Sequence, residues 1–487
     1  MLCPLLLLAT GLAAVSAAAN APSGFVATSG TKFVDGKSFP FHGTNGYYIP
    51  FNDRRLADDF FQTASTLKIK VVRTWAFSDV VAADEGKRVW FQSFDGRQTK
   101  FNDGSTGLEM LDYVVQQAGL KGIKLILPLV NNWSDFGGMD LYVKSFGGSS
   151  HGDFYKRTDI KEAYKAYVSH IVQRRNSLTG TPYIQDPTIL AWELTNEARC
   201  KADQLPSGSC SSADIASWMT EMSTFIKSLD RNHLVTSGDE GFYARSGESY
   251  PDNGADGTDF EKIMAIQTLD FGTFHTYPEN FGTDLQSYAL KTIQDHSLTA
   301  ERLNKPVLWE EYGIKDKGSR PRIISEWHAA LGRSAIDTSL VWMVAGPSYE
   351  DFDGFTVHPG DPYMKQLVID PMAAIEADAG SPTAPLPPPK PSPTSEPAPS
   401  QPPICTGITI TATDSRGRAW GFEEGKSCMV RTCESTAITA VDAAGRQWGF
   451  ENQQSCLIKT CANKTVTTVD SAGRKWGFED GRSCLIV

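Results

Sequence analysis

The chain has 487 residues, 40% hydrophobic and 21% charged, which is more sequence than one average domain needs. Lys and Arg number 46 against 57 Asp and Glu, a net charge of −11. That balance argues against a polyanion binder and against nucleic acid as a partner, because neutralising phosphates needs a basic surface.

The chain opens with Met1, Leu2, Cys3 and Pro4 and stays apolar to about Ala19. Residues 1–19 read as a secretory signal, too short and too terminal for a membrane span, with small side chains at Val15, Ala17 and Ala19 for cleavage. The stretch lacks the Lys or Arg that usually begins such a signal. No later apolar run is long enough to span a bilayer, so the expectation is a secreted, extracellular protein with no membrane partner. Removal of Cys3 leaves eight cysteines, and an even number in an oxidising compartment favours disulfides over metal or redox roles.

Residues 22–375 alternate strand-like apolar runs with amphipathic helical stretches. The predicted strands are residues 39–47, 69–75, 123–131, 189–196, 233–237, 271–275, 306–311 and 340–345. Helices are predicted between them at 56–67, 107–118, 161–175, 215–229, 285–303 and 322–333. Eight such repeats define the α/β class and a (β/α)8 TIM barrel. A doubly wound sheet is the competing layout, but no G-x-G-x-x-G follows the first strand.

Residues 376–403 form a Pro/Ser/Thr-rich linker; 11 of the 27 prolines fall in 381–403, and O-glycosylation is expected there. Residues 404–487 are three repeats of 28 residues, marked by Asp414, Asp442 and Asp470 and by Trp420, Trp448 and Trp476. Alternating residues before each Asp predict a small hairpin turning at x-x-Gly. Cys405 and Cys428, Cys433 and Cys456, and Cys461 and Cys484 share one spacing. A unit this small needs a staple, so one disulfide per unit is expected, although six cysteines allow 15 pairings. Three disulfide-stapled β repeats after a barrel is the predicted architecture. The repeats are nearly neutral, so the acidic balance belongs to the barrel.

Barrel chemistry comes from the C-terminal ends of the strands. There the chain offers Arg73, Asn131-Asn132-Trp133, Asn196-Glu197, Asp239-Glu240, His275-Thr276-Tyr277, Glu310-Glu311 and Trp342. Carboxylates on strands four and seven, ringed by an Arg, a His, a Tyr and several Trp, suit glycoside hydrolysis. One carboxyl must protonate the leaving oxygen and another must attack the anomeric carbon. Glu193 and Glu310 lie in the same two strands as alternative carboxylates. The Asn before Glu197 and the Tyr-Gly after Glu311 favour the latter pair. Arg73 is either a site residue or a structural ion pair. His42 reads equally as a core histidine or a ligand, and Trp75 and Trp309 as packing or sugar platforms.

Two motif matches are set aside. Gly148-Ser149-Ser150-His151-Gly152 fits a nucleophile elbow but lies in a Gly/Ser loop without the strand and helix that motif requires. The spacing of Cys428 and Cys433 fits zinc, but the period of the cysteines favours disulfides. Cys200 and Cys210 bracket a Gly/Pro/Ser loop and are expected to bridge it. Sequons stand at Asn132, too near the cleft for a glycan, and at Asn463.

The barrel resembles glycoside hydrolase family 5, and within it the fungal endo-β-1,4-mannanases. The resemblance rests on Trp192-Glu193-Leu194-Thr195-Asn196-Glu197-Ala198-Arg199-Cys200, on Trp309-Glu310-Glu311-Tyr312-Gly313, and on three further stretches at strand ends: Val130 to Met139, Gly238 to Phe242, and His275 to Pro278. Ala198 departs from the family, where Pro often follows the catalytic Glu. The resemblance implies Glu197 as acid/base and Glu311 as nucleophile, about 5 Å apart in a retaining mechanism. It implies that Arg73 and Tyr277 hold Glu311, that Asn196 binds the 2-hydroxyl, and that His275 positions the sugar or the acid/base. Trp342 would stack under the reacting sugar, with Trp133 and Glu240 at neighbouring subsites. Glu197 is expected to have a raised pKa and Glu311 a lowered one. No metal and no cofactor is required.

The repeats resemble family 10 carbohydrate-binding modules and their relatives, the fungal dockerins. This implies that Trp420, Trp448 and Trp476 stack on polysaccharide, or bind a cohesin-like protein, or simply pack on their own disulfides. The expectation is a monomeric, secreted endo-β-1,4-mannanase acting on plant cell-wall mannan, with cellulose a further ligand for the tail. The alternatives are an endo-β-1,4-glucanase of the same family, or a non-catalytic wall-binding protein on a degenerate barrel.

Overall fold

The computed structural model describes residues 24–374 throughout and, beyond them, the backbone of nine short strands between 412 and 485. The signal, the linker, Cys405, Cys433, Cys461 and Asn463 lie outside the described residues. The chain divides into two compact units, 1–382 and 383–487.

The first unit is built on eight parallel strands: β1 Phe41–Asn45, β2 Val71–Arg73, β3 Lys124–Pro128, β4 Ile189–Glu193, β5 Leu234–Thr236, β6 Gly272–Thr276, β7 Val307–Tyr312 and β8 Thr338–Val341. They hydrogen-bond in the order β5-β4-β3-β2-β1-β8-β7-β6. A parallel bridge from Thr236 to Phe271 joins the two ends, so the sheet closes. Helices Arg54–Thr66, Leu108–Leu120, Thr158–Val172, Ser212–Leu229, Leu285–Leu303 and Arg320–Leu331 match the predicted set to within a few residues. Their starts follow from capping side chains: Asp53 accepts from Leu56 N at 3.0 Å and Asp284 from Ser287 N at 2.8 Å.

The strands are almost wholly buried on both faces, which is why they read as continuous apolar runs. Their inward side chains sort by height. Phe41, Val71, Ile126, Leu190, Ala191, Leu234, Phe271, Leu308 and Leu340 make an apolar layer with Val26 and Phe33. A hairpin, Ala27–Ser29 with Lys32–Val34, supplies Phe33, whose ring meets Phe41 at 5.5 Å and Phe271 at 5.0 Å. This closes the N-terminal mouth of the barrel. The polar residues are left to the C-terminal mouth.

Two irregularities in register decide which residues face inward. Between β3 and β4, Leu125 pairs with Ile189 but Ile126 with Ala191, so Leu190 is extra. Between β6 and β7, Phe274 pairs with Trp309 but His275 with Glu311, so Glu310 is extra. Such bulges re-aim side chains beside active sites.

The predicted strand 189–196 was too long: β4 stops at Glu193 and the chain turns through Glu197, whose φ is +59°. A three-stranded sheet, Asp79–Val81, Gln92–Asp95 and Gln98–Phe101, follows β2 and was not predicted, nor were the short helices Met139–Ser145 and Asp153–Lys156. Among the described residues no helix is long and apolar enough to cross a membrane.

In the second unit each repeat has three antiparallel strands where a two-stranded hairpin was expected. The register repeats: Trp420 lies opposite Met429, Trp448 opposite Leu457 and Trp476 opposite Leu485. Cys428, Cys456 and Cys484 fall in third strands, opposite Gly421, Gly449 and Gly477.

Candidate active site

At the C-terminal mouth the charged residues assemble around Arg73, which ends β2 and is fully buried. Its Nε and Nη2 donate to both oxygens of Glu193 at 2.9 and 2.6 Å. Nη1 donates to Glu311 Oε1 at 2.5 Å, and Nη2 to Asn196 Oδ1 at 2.7 Å. Glu310 Oε1 stands 3.6 Å from Nε, and the guanidinium lies over the Trp75 ring at 4.7 Å. Arg73 is therefore both the structural ion pair and the anchor of Glu311. A buried guanidinium is tolerable only when its fork is satisfied in this way.

Glu311 receives a second donor, the Tyr277 hydroxyl, at 2.8 Å. Glu197 is held differently. Its Oε1 lies 2.9 Å from His275 Nδ1, and its Oε2 accepts from Trp133 Nε1 at 2.5 Å. The left-handed backbone at Glu197 is fixed by its own N–H bonding to Gly238 O at 2.8 Å. A Cβ on Gly238 would fall 1.9 Å from Thr195 O, so only glycine fits against this turn.

His275 bridges the two carboxylate sets. Its Nε2 faces Glu310 Oε2 at 3.2 Å, and its Nδ1 is also 3.7 Å from Glu311 Oε2. One donor atom each of Glu197, His275 and Glu311 lie within 4.8 Å of one another. Among the described residues this is the one trio with donor atoms close enough to hold a metal ion, and each member is already hydrogen-bonded within the protein.

The electrostatics reverse the expectation for the two acids. Burial raises the Glu197 pKa, but the His275 hydrogen bond and charge, with Arg199, outweigh it and hold the carboxyl at about 2. Burial, with the neighbouring Glu197 charge, raises Glu311 above its ordinary value in spite of His275 and Arg73. His275 itself is raised well above 6.5, because Glu311, Glu197 and Glu310 outweigh its desolvation. Both shifts favour a proton on the imidazole over one on Glu197.

A cavity of about 440 Å³ opens over this cluster, lined by Tyr47, Trp75, Asn131, Trp133, Phe136, Asn196, Glu197, Tyr277, Glu311, Trp342, Asp353 and Phe355, among others. Trp342 is half-buried, stacked parallel to Tyr47 at 5.5 Å, with its Nε1 on Asp353 Oδ2 at 2.7 Å. Trp75 reaches this wall, whereas Trp309 is wholly buried against Tyr312 and Thr276. Glu240 does not line the cavity. It is buried, and both its oxygens are taken by Arg199 at 2.5 and 2.6 Å. Arg199 was quoted in its motif without a role. It lies over Trp133 at 5.2 Å and bonds Asp256 at 2.6 Å, and its position two residues after Glu197 was the available signal. Tyr47, Asp353 and Phe355 carry no motif and were missed, and Asn131 lay within a strand-end motif without a role assigned to it.

His42 is a satisfied core histidine, between Ser339 Oγ at 2.8 Å and Leu367 O at 3.0 Å. Ser150 follows no strand, and the neighbouring His151 is held by Asp140 and Asn132. Asn132 is buried with its amide on Lys201 O. Cys200 and Cys210 form a disulfide.

Two acids at the C-terminal ends of strands four and seven of a closed parallel barrel, under an aromatic-walled cleft, define a glycoside hydrolase. The chain belongs to glycoside hydrolase family 5, in its β-mannosidase-like branch, whose family model matches residues 23–330. It is 39% identical over 359 residues to mannan endo-1,4-β-mannosidase A of Podospora anserina, covering 72% of this chain and 91% of that one. It is 41% identical over 310 residues to the enzyme of the same name from Hypocrea jecorina, covering 63% and 67%. The endo-1,4-β-mannanase of Rhizomucor miehei superposes with a TM-score of 0.69 at 41% identity, over 72% of this chain and 99% of that one.

Proposed function

We propose that the chain is a secreted, retaining endo-β-1,4-mannanase, with Glu311 as nucleophile and Glu197 as acid/base. The relatives named above support the substrate. The observation that carries the mechanism is the closeness of the two acids, with donor oxygens within 4.8 Å of each other. Retaining enzymes hold their carboxyls about 5–5.5 Å apart, whereas inverting ones leave room for a water between them.

Glu311, fixed by Arg73 and Tyr277, attacks the anomeric carbon. The glycosidic oxygen leaves with a proton from Glu197, and that proton is supplied to Glu197 by His275 Nδ1. The glycosyl ester removes the negative charge of Glu311. Glu197, now a carboxylate, takes a proton from water as the water attacks the same carbon, and Glu311 departs. Asn196 is assigned to the sugar 2-hydroxyl and Trp342 to the face of the reacting sugar. The three repeats are assigned to holding the enzyme on wall polysaccharide.

Reducing-sugar release from galactomannan, glucomannan and carboxymethylcellulose tests the substrate. Activity confined to the cellulose derivative would overturn the mannanase reading, and none on any would overturn the enzyme reading. Glu311→Gln should abolish turnover while leaving the thermal midpoint within a few degrees of wild type.

A further inference from the structure

Phe352 is 72% exposed, and it is the one exposed aromatic ring among the described residues. Solitary surface hydrophobics need no explanation in general. This one sits beside Asp353, which lines the cleft and accepts from Trp342 Nε1 at 2.7 Å.

The loop that carries it is tied down. Asp351 Oδ1 accepts from the N–H groups of Gly354 and Thr356 at 2.9 and 3.2 Å, and its other oxygen pairs with Lys317 at 2.9 Å. Buried Arg320 donates to the carbonyls of Gly354 and Phe355 at 2.5 and 3.3 Å. The ring stands edge-on to Tyr349 at 5.5 Å, and the Tyr349 hydroxyl bonds that of Tyr47 at 2.7 Å. Tyr47 is the ring stacked on Trp342. Aromatic contacts thus run without a break from the cleft wall to Phe352, on a backbone that needs no ordering before it binds.

We propose that Phe352 is a sugar platform that adds a subsite to the cleft, for the glycone portion of a β-1,4-linked mannose chain. The side is set by the chemistry. The leaving portion lies toward the acid/base, beside Trp133, which bonds Glu197 and lines the cleft. The retained portion lies toward Glu311, and Tyr277, Trp342 and Asp353 continue on that side to Phe352. The proposal rests on the mannanase reading given above.

The test compares kcat/KM on mannohexaose with that on mannotriose for wild type, Phe352→Ala and Phe352→Trp. Wild type should favour the longer chain. Phe352→Ala should shrink that advantage about tenfold, since remote binding energy is used in the transition state, and Phe352→Trp should keep it. An unchanged ratio in Phe352→Ala, a wild type with no chain-length advantage, or equal losses on both substrates would overturn the added subsite alone. A wild type inactive on every mannan substrate would overturn the mannanase reading, and this inference with it.

Discussion

The proton on His275 gives the sharpest prediction. Replacing His275 with Gln removes a positive charge whose Nδ1 is 2.9 Å from Glu197 Oε1. Two unit charges about 4 Å apart, in an effective dielectric of about 20, interact by about 4 kcal/mol, or about three pKa units. Glu197 should then rise from about 2 to about 5 and must hold its own proton. In wild type the active form keeps one proton on the His275–Glu197 pair and loses it as pH rises through the raised histidine pKa. In His275→Gln it loses that proton near pH ~5, so the alkaline limb of kcat/KM moves acidward and activity at pH 7 falls about a hundredfold, much less at pH ~4.5. Glu310→Gln keeps the imidazole but removes the carboxylate 3.2 Å from Nε2, and should move the same limb by a smaller amount. The assay is initial rates on soluble glucomannan from pH 3 to 9, with circular dichroism as a check on folding. Alkaline limbs that superimpose in wild type and His275→Gln would show that the imidazole does not hold the proton that the reaction needs.

Arg73→Met should lower stability by about 3–5 kcal/mol in urea, because Glu193, Glu310 and Glu311 lose their common cation. Arg73→Lys should recover only part, since an ammonium cannot reproduce the fork, and wild-type stability in either variant would contradict the account. His42 is buried and neutral, with its pKa pushed down to about 4. The unfolded chain therefore holds more protons between about pH 6.5 and 4, so His42 costs stability as pH falls through that window, by up to about 3 kcal/mol. His42→Gln should flatten the acid limb of a urea stability profile, and an unchanged limb would count against it. Reducing the Cys200–Cys210 disulfide should lower stability by about 2–3 kcal/mol, read as a drop in thermal midpoint without loss of the barrel's circular dichroism.

The barrel was legible because burial on both faces turns each strand into a plain apolar run, and because the helices carry their own caps. Glu197 and Glu311 were singled out by the Asn before one and the Tyr-Gly after the other, and the fold brings their carboxyls together. The cleft walls were not. Tyr47, Asp353 and Phe355 come from loops after β1 and β8, where no periodicity constrains a side chain. Glu240 was misread for a related reason. Its place after β5 is a site position in a barrel, but Arg199, two residues beyond the acid/base, captures both its oxygens.

The pKa order was illegible for a more specific cause. In a regular strand neighbouring residues face opposite ways, so Glu310 should point away from the cluster that holds Glu311. The register shift between β6 and β7 leaves Glu310 as an extra residue, and both acids turn toward His275. Two carboxylates within 3.7 Å of one imidazole, with Glu197 as a third at 2.9 Å, are what make the histidine the stronger base. A one-residue bulge thus adds a carboxylate beside the imidazole and favours protonation of His275 over that of Glu197. Deleting Glu310 would restore regular pairing with Glu311 still opposite His275, and should lower the proton affinity of the histidine by removing the carboxylate at its Nε2.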